Sequence, residues 1–247
     1  MFGIRYYLEV KYICKVESGK SGVDKKGNIK RMKPLGRVKI EWSPNFAYAV
    51  GLLTTDGNLS SNGRQFDFTS KDQAQVENLK MCLGIKNKIG QKISGSSGKK
   101  CFRVQFGDIL FYRFLISLGL MPNKSKIIGR VVIPKKFLFD FLRGHLDGDG
   151  SFHSYFDPRW KSSYMFYTIF MSASKTHVDW LRETIWGALK IYGHISKSIT
   201  DSTYKLKYAK AESLKLLPKL YYNNEVICLP RKRRKIERAL DVIDIKL

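Results

Sequence analysis

The sequence predicts an α+β fold built from one unit used twice. Three observations predict it. A short motif occurs as "AVGLLTTDG" at 49–57 and "LRGHLDGDG" at 142–150, which sets Asp56 and Asp149 93 residues apart. The stretches downstream pair as well. "TSKDQAQVENL" (69–79) matches "SASKTHVDWL" (172–181), with Lys71 against Lys175 at 104, and "FRVQF" matches "YKLKY" at 102. Finally, "QFDFTS", "CFRVQF", "MFYTIFMS" and "TYKLKY" alternate apolar and polar residues as half-buried strands do.

Each half therefore reads as a helix, two strands, a helix, a strand pair and further helices. Residues 1–40 form a basic N-terminal extension, 41–130 the first half and 131–247 the second. The extension holds eleven basic residues against three acids, and its 18–33 stretch reads as a flexible basic segment, a loop between two short strands. The increase from 93 to 104 places a longer loop after the second motif, around 153–163.

The first motif helix starts at Ser43 and Pro44, an N-cap followed by proline at the first helical position. Phe46, Ala47, Val50 and Leu53 make its apolar stripe. The second starts near Pro134 and continues through Phe137, Leu138, Phe141 and Leu142. Gly51 and Gly144 lie inside these helices, where glycine costs about 1 kcal/mol against alanine. Close backbone approach accounts for that cost, so the two helices are expected to pack glycine to glycine with their ends side by side. Gly57 and Gly150 suit the left-handed residue that ends a helix.

Composition names the partner class. The 247 residues carry 45 Lys plus Arg against 21 Asp plus Glu, a formal charge of +24. Such a surface suits polyanions, and a basic twisted sheet can lie in a DNA major groove. No apolar run reaches the ~18 residues of a spanning helix, and the N-terminus lacks an uninterrupted apolar core, so no membrane partner and an intracellular protein are expected, in a bacterial cytoplasm or an organelle. Four dispersed cysteines and four histidines without metal-ligand spacing exclude a zinc site.

Against this charge, Asp56 and Asp149 stand out. Each sits at the negative end of a helix dipole, and together they repel. A divalent cation between them resolves both problems, and oxygen ligands favour Mg²⁺.

The two motifs resemble those of the LAGLIDADG homing endonuclease family, from about Trp42 to the C-terminus; residues 1–40 fall outside the resemblance. The second motif matches strongly. The first has Thr54 where an acid is common. Two motifs in one chain resemble the monomeric form. The resemblance implies two pseudo-symmetric αββαββα halves, with the motif helices at the interface and a saddle of antiparallel sheets over DNA. It implies an intron-encoded, Mg²⁺-dependent endodeoxyribonuclease cutting both strands of a long asymmetric site, with Mn²⁺ or Ca²⁺ standing in for Mg²⁺ in a trapped complex. Asp56 and Asp149 would hold the metals, with the main-chain carbonyls of Thr55 and Gly148 as further ligands. Asp147 reads as structural. Lys124, in "PNKS", and Lys232, in "CLPRKRRK", are the basic residues expected near the metals. DNA contacts are expected from Arg64, Gln65, Asp67, Ser70, Lys71, Arg103 and Gln105 in the first half. In the second they are Lys161, Tyr164, Ser174, Lys175, Lys205 and Lys207. Ser70 and Ser174 stand at strand ends where some relatives carry glutamine. A catalytically silent DNA-binding regulator and an intron RNA maturase are the alternatives on the same fold.

Overall fold

The architecture comes from a computed structural model, which describes Gly22–Val23, Ile29–Lys30, 36–93 and 98–247, with the Lys161 side chain left out. Within the extension, β1 (Gly22–Val23) pairs antiparallel with β2 (Ile29–Lys30). The remainder of the expected flexible basic segment lies outside the described residues. Residues 36–40 are not loose: Val38 is buried, and its amide donates to Asp108 Oδ2 at 2.8 Å.

The first half runs α1 (Pro44–Thr55), β3 (Gly57–Leu59), β4 (Gln65–Ser70), α2 (Gln73–Leu83), β5 (Gly90–Ile93), β6 (Lys100–Gly107) and α3 (Ile109–Ser117). The second runs α4 (Leu138–Asp147), β7 (Ser151–Asp157), β8 (Trp160–Ser172), α5 (Lys175–Leu189), β9 (His194–Lys197), β10 (Tyr204–Tyr208) and α6 (Lys210–Leu220). An additional helix, α7 (Pro230–Asp241), follows. Short 3₁₀ turns at Lys124–Lys126 and Lys135–Phe137 join the halves. Both four-stranded sheets are antiparallel and share one order, β3-β4-β6-β5 and β7-β8-β10-β9. The repeat in the sequence is thus a repeat of structure.

Strand alternation gives each sheet a helix-covered face and an open one. Phe66, Phe68, Val104 and Phe106 are buried in the first half, against Val76 and Leu79 of α2 and Phe111 and Leu115 of α3. In the second, Phe166, Phe170, Leu206 and Tyr208 are buried against Val178, Leu181 and Ile185 of α5 and Leu216 and Leu217 of α6.

α1 begins as expected, with Ser43 Oγ accepting from the Phe46 amide at 3.1 Å. It is buried from Phe46 through Thr54 because α4 lies against it. The seam is the close contact that the glycines require. A Cβ on Gly51 would lie 2.2 Å from Phe141 O, and one on Gly144 would lie 2.1 Å from Tyr48 O.

Gly57 and Gly150 are glycines for a different reason than the one expected. Neither has a positive φ. Instead the chain folds straight back along the last helical turn, so that a Cβ would lie 2.6 Å from Leu53 O in the first case and 2.6 Å from Leu146 O in the second. The register also differs. Ser70 and Ser172 both end a strand, and Val76 and Leu79 of α2 match Val178 and Leu181 of α5, an offset of 102 rather than 104. Lys71 is therefore not the counterpart of Lys175, and Ser174 is not at a strand end but at the N-cap of α5, matching Asp72. The extra residues of the second half are not a long loop. They lengthen the β7–β8 hairpin to strands of 7 and 13 residues, against 3 and 6 for β3 and β4.

Candidate active site

The two motif helices end together. Asp56 is the C-cap of α1, and Gly148 caps α4, one residue before Asp149. A Cβ on Gly148 would lie 1.9 Å from Thr55 Oγ1 and 3.2 Å from Asp56 Oδ2, so only glycine lets the ends meet. Burial and then the Asp149 charge push the Asp56 carboxyl up to about 7, opposed by Lys232, Lys124 and Gln75. Asp149 is more open to solvent. Its carboxyl is also raised, by the protein crowded around it, against the pull of Lys124 and Lys232.

Both expected lysines reach this place. Lys124 is buried, and its Nζ donates to Thr55 O at 3.2 Å and to Gly57 O. Lys232, also buried, donates to Leu146 O at 2.6 Å, Asp147 O at 2.8 Å, Gly148 O at 3.1 Å and Gly150 O at 2.5 Å. Burial lowers each ammonium to about 8. The carbonyls of Thr55 and Gly148, expected as metal ligands, are thus in contact with lysine. Helical periodicity sorts the basic run that left Lys232 ambiguous. Lys232 points inward, Arg231 forms a 2.7 Å ion pair with Asp72, Arg233 pairs with Glu237, and Arg234 and Lys235 are exposed.

Three features were not read from the sequence. Gln75 is buried, and its Nε2 donates to Asp56 Oδ2 at 3.0 Å and to Asp147 O at 3.2 Å, while Ser70 Oγ holds its Oε1 at 2.9 Å. The available signal was a polar residue on the apolar face that Val76, Leu79 and Leu83 define. At the matching position stands His177. Its Nδ1 lies 2.7 Å from Gly129 O, an atom that only accepts, so Nδ1 carries the proton and Nε2 accepts from His145 Nε2 at 3.1 Å. Burial lowers His177 to about 4 and His145 well below its ordinary value, so both rings are neutral. The third is an ionic brace. Arg143, fully buried, bonds Asp140 Oδ1 at 2.9 Å, Leu220 O at 2.8 Å and Ile227 O at 2.9 Å, which fixes the segment leading to α7. Asp147 completes that brace as a structural acid, accepting from Tyr48 Oη at 2.8 Å and the Leu229 amide at 2.7 Å.

On the first sheet, register puts Gln65, Asp67, Arg103 and Gln105 on the open face, with Asp67 paired to Arg103 through a 2.8 Å bond from Nε. Arg64 is exposed just before β4, and Lys71 is exposed just after it. Ser70 faces the helices and serves Gln75. On the second sheet, Lys205 and Lys207 lie on the open face opposite Met171 and Ile169, and Lys161 belongs to β8 beyond the register shift at Phe156/Asp157. Tyr164 is not on the open face. It pairs with Phe156 on the helix side, their rings 4.8 Å apart, because the even-numbered residues of β8 face the core. Ser174 is buried, its hydroxyl 2.5 Å from Ile128 O, so it presents nothing to a groove. Lys175, on the first turn of α5, is paired with Asp179.

The donors fit a hard divalent ion. Among the described residues no group of three His, Cys, Asp or Glu gathers anywhere. The charged ligands on offer are the two carboxylates, flanked by main-chain carbonyls, and a cation such as Mg²⁺ uses one or two carboxylates and completes its shell with water and phosphate. Among the described residues, no helix is long and apolar enough to cross a membrane.

No protein-family model matches the sequence, and no curated protein does. Solved structures match over most of the chain. I-SmaMI bound to an uncleaved DNA target with calcium aligns with a TM-score of 0.56 at 14% identity, over 82% of this chain and 91% of that one. The homing endonuclease I-WcaI bound to its DNA recognition sequence aligns at 0.54 and 14%, over 78% and 86%. Full-length DUF199/WhiA from Thermatoga maritima aligns at 0.52 and 13%, over 85% of this chain, which spans 65% of that chain's length. Two sheets of one order, joined through glycine-packed motif helices, give this chain the LAGLIDADG homing-endonuclease fold.

Proposed function

We propose that the chain is a site-specific double-strand DNA endonuclease, working as a monomer with Mg²⁺ on a long asymmetric duplex. The two halves, 41–130 and 131–247, would each cover about one helical turn. The observation that carries the reading is the meeting of Asp56 and Asp149 at the joined helix ends, with a buried lysine beside each.

The acids are expensive to keep. With its carboxyl raised to about 7, an ionised Asp56 costs the fold on the order of 4 kcal/mol. A protein that only gripped DNA would gain stability by losing it. A bound divalent ion would offset that cost, and would polarise a phosphate and lower the pKa of the attacking water. Asp56 and Asp149 would hold it, with Thr55 O and Gly148 O within reach as further ligands. Gln75 would fix the orientation of the Asp56 carboxylate. The open sheet faces would read bases through Gln65, Arg103, Gln105, Lys205 and Lys207, and Arg64, Lys71 and Lys161 would meet phosphates. DNA is the partner that the I-SmaMI and I-WcaI structures contain.

The test is incubation of the purified chain with a randomised plasmid library and Mg²⁺, followed by sequencing of the cut ends. Recurrent double-strand breaks at one asymmetric sequence support the reading. Tight, sequence-selective binding without any cut would instead make the chain a silent DNA binder on this fold.

A further inference from the structure

The two buried lysines end at equivalent places and come from equivalent points of the repeat, each two residues after a proline, Pro122 and Pro230, in the segment that follows the last helix of its half. Lys124 arrives from a 3₁₀ turn and Lys232 from the first turn of α7. A helix ends with carbonyls that lack intrahelical partners and carries about half a negative charge there. Lys124 Nζ meets the end of α1 at Thr55 O and Gly57 O, and Lys232 Nζ meets the end of α4 at four carbonyls. In each set the longest contact is to the carbonyl of the residue before the acid, 3.2 Å to Thr55 O and 3.1 Å to Gly148 O, and the shortest is to the residue after it, Gly57 O and Gly150 O. An ammonium has three protons, so Lys232 cannot serve four carbonyls equally, and the longest contact is the most readily given up. A lysine whose task was to orient water would turn its protons toward the solvent side of the site. The Lys232 protons are all matched by main-chain carbonyls, and Lys124 gives two of its three to them.

We propose that Lys124 and Lys232 are tethered cations that hold the two helix ends before a divalent ion arrives, and that each then yields the carbonyl that precedes its acid, Thr55 O or Gly148 O, to that ion. The idea rests on the metal-binding reading above and assigns the lysines a role in assembling the site rather than in activating water. Their attachment to the remaining carbonyls keeps them in place after the exchange.

The experiment is thermal melting of the wild-type chain, Lys232→Met and Lys124→Met, first with chelator and then with calcium alone as the probe. In chelator the Tm of Lys232→Met should fall by about 5 °C, and that of Lys124→Met by less, following four contacts against two. Calcium should recover part of the loss, so that its effect is larger in the variants than in the wild type. Unchanged melting of both variants in chelator, or a calcium effect no larger than the wild type's, overturns the proposal. If Lys232→Met does not fold, Lys124→Met carries the same comparison. Calcium that shifts no form, wild type included, overturns the metal reading and the exchange with it, while the loss in chelator still decides whether the lysines cap the helix ends.

Discussion

The first half holds its acid and the second half leaves its acid open. Asp56 receives a hydrogen bond from Gln75, whereas the matching residue behind Asp149 is His177, which turns to His145 and Gly129 instead. The bracing is reversed. Thr54 only bonds back to Val50 O within its own helix, while its counterpart Asp147 joins Tyr48, the Leu229 amide and, through its carbonyl, Lys232. One fold used twice in one chain is free to specialise, because no symmetry operation forces a substitution in one half upon the other. Each half has kept the glycine contact and the acid, which both need, and has changed the residues behind them.

The largest effect should come where the halves agree. Gly144→Ala drives a methyl group into Tyr48 O across the seam, and backbone on both sides cannot give way. Denaturant unfolding should show a loss of more than about 4 kcal/mol, or no folded protein. Gly187→Ala, in α5 with nothing near the added carbon, should instead be neutral or gain up to about 1 kcal/mol. Equal tolerance at the two positions would break the description of the seam.

Next comes the amide. Gln75→Ala removes the donor to Asp56 and leaves Asp149 untouched, so cleavage followed with separately labelled strands should slow about tenfold on one strand only. His177→Ala should cost about 2 kcal/mol of stability and leave the ratio between strands unchanged. Equal slowing of both strands by Gln75→Ala would show that the halves are chemically alike.

A third effect separates the halves by pH. The Asp56 carboxyl, raised to about 7, lets the folded metal-free chain bind more protons than the unfolded chain between about 4 and 7, so its contribution to stability is lost as pH rises through that window. His177, lowered to about 4, binds fewer protons folded than unfolded below 6.5, so its contribution is lost as pH falls from 6.5 to 4. In chelator, Asp56→Asn should therefore raise the Tm at pH 8 and change little at pH 4. His177→Gln should flatten the acid limb by up to about 3 kcal/mol. The opposite pattern in either variant would contradict the burial of that group.

Much of this was legible in the sequence, because repetition multiplies weak signals. A single "DG" is a turn, but two of them with matched glycines gave the helix pair, its seam and both acids. The strands followed from alternation. Alternation lets only every second residue face outward, and Tyr164 shares the core-facing frame of Phe166, Thr168 and Phe170. Gln75, His145 and Arg143 stayed hidden because the partners Asp56, His177 and Ile227 lie 19, 32 and 84 residues away and become neighbours only after the chain folds. Lys232 was visible only as one of five basic residues, since the choice among them depends on the angle at which α7 meets α4.

The central claim is that the joined helix ends cut DNA, and it is tested most directly on the duplex recovered from the plasmid library. Asp56→Asn and Asp149→Asn are each compared with the wild type by double-strand cleavage in Mg²⁺ and by gel-shift affinity in metal-free buffer. The account predicts cleavage reduced by at least about a thousandfold in both variants, with affinity equal to the wild type's or tighter, because the sheets are unchanged and a charge facing phosphate is gone. Wild-type cleavage by either variant would contradict it.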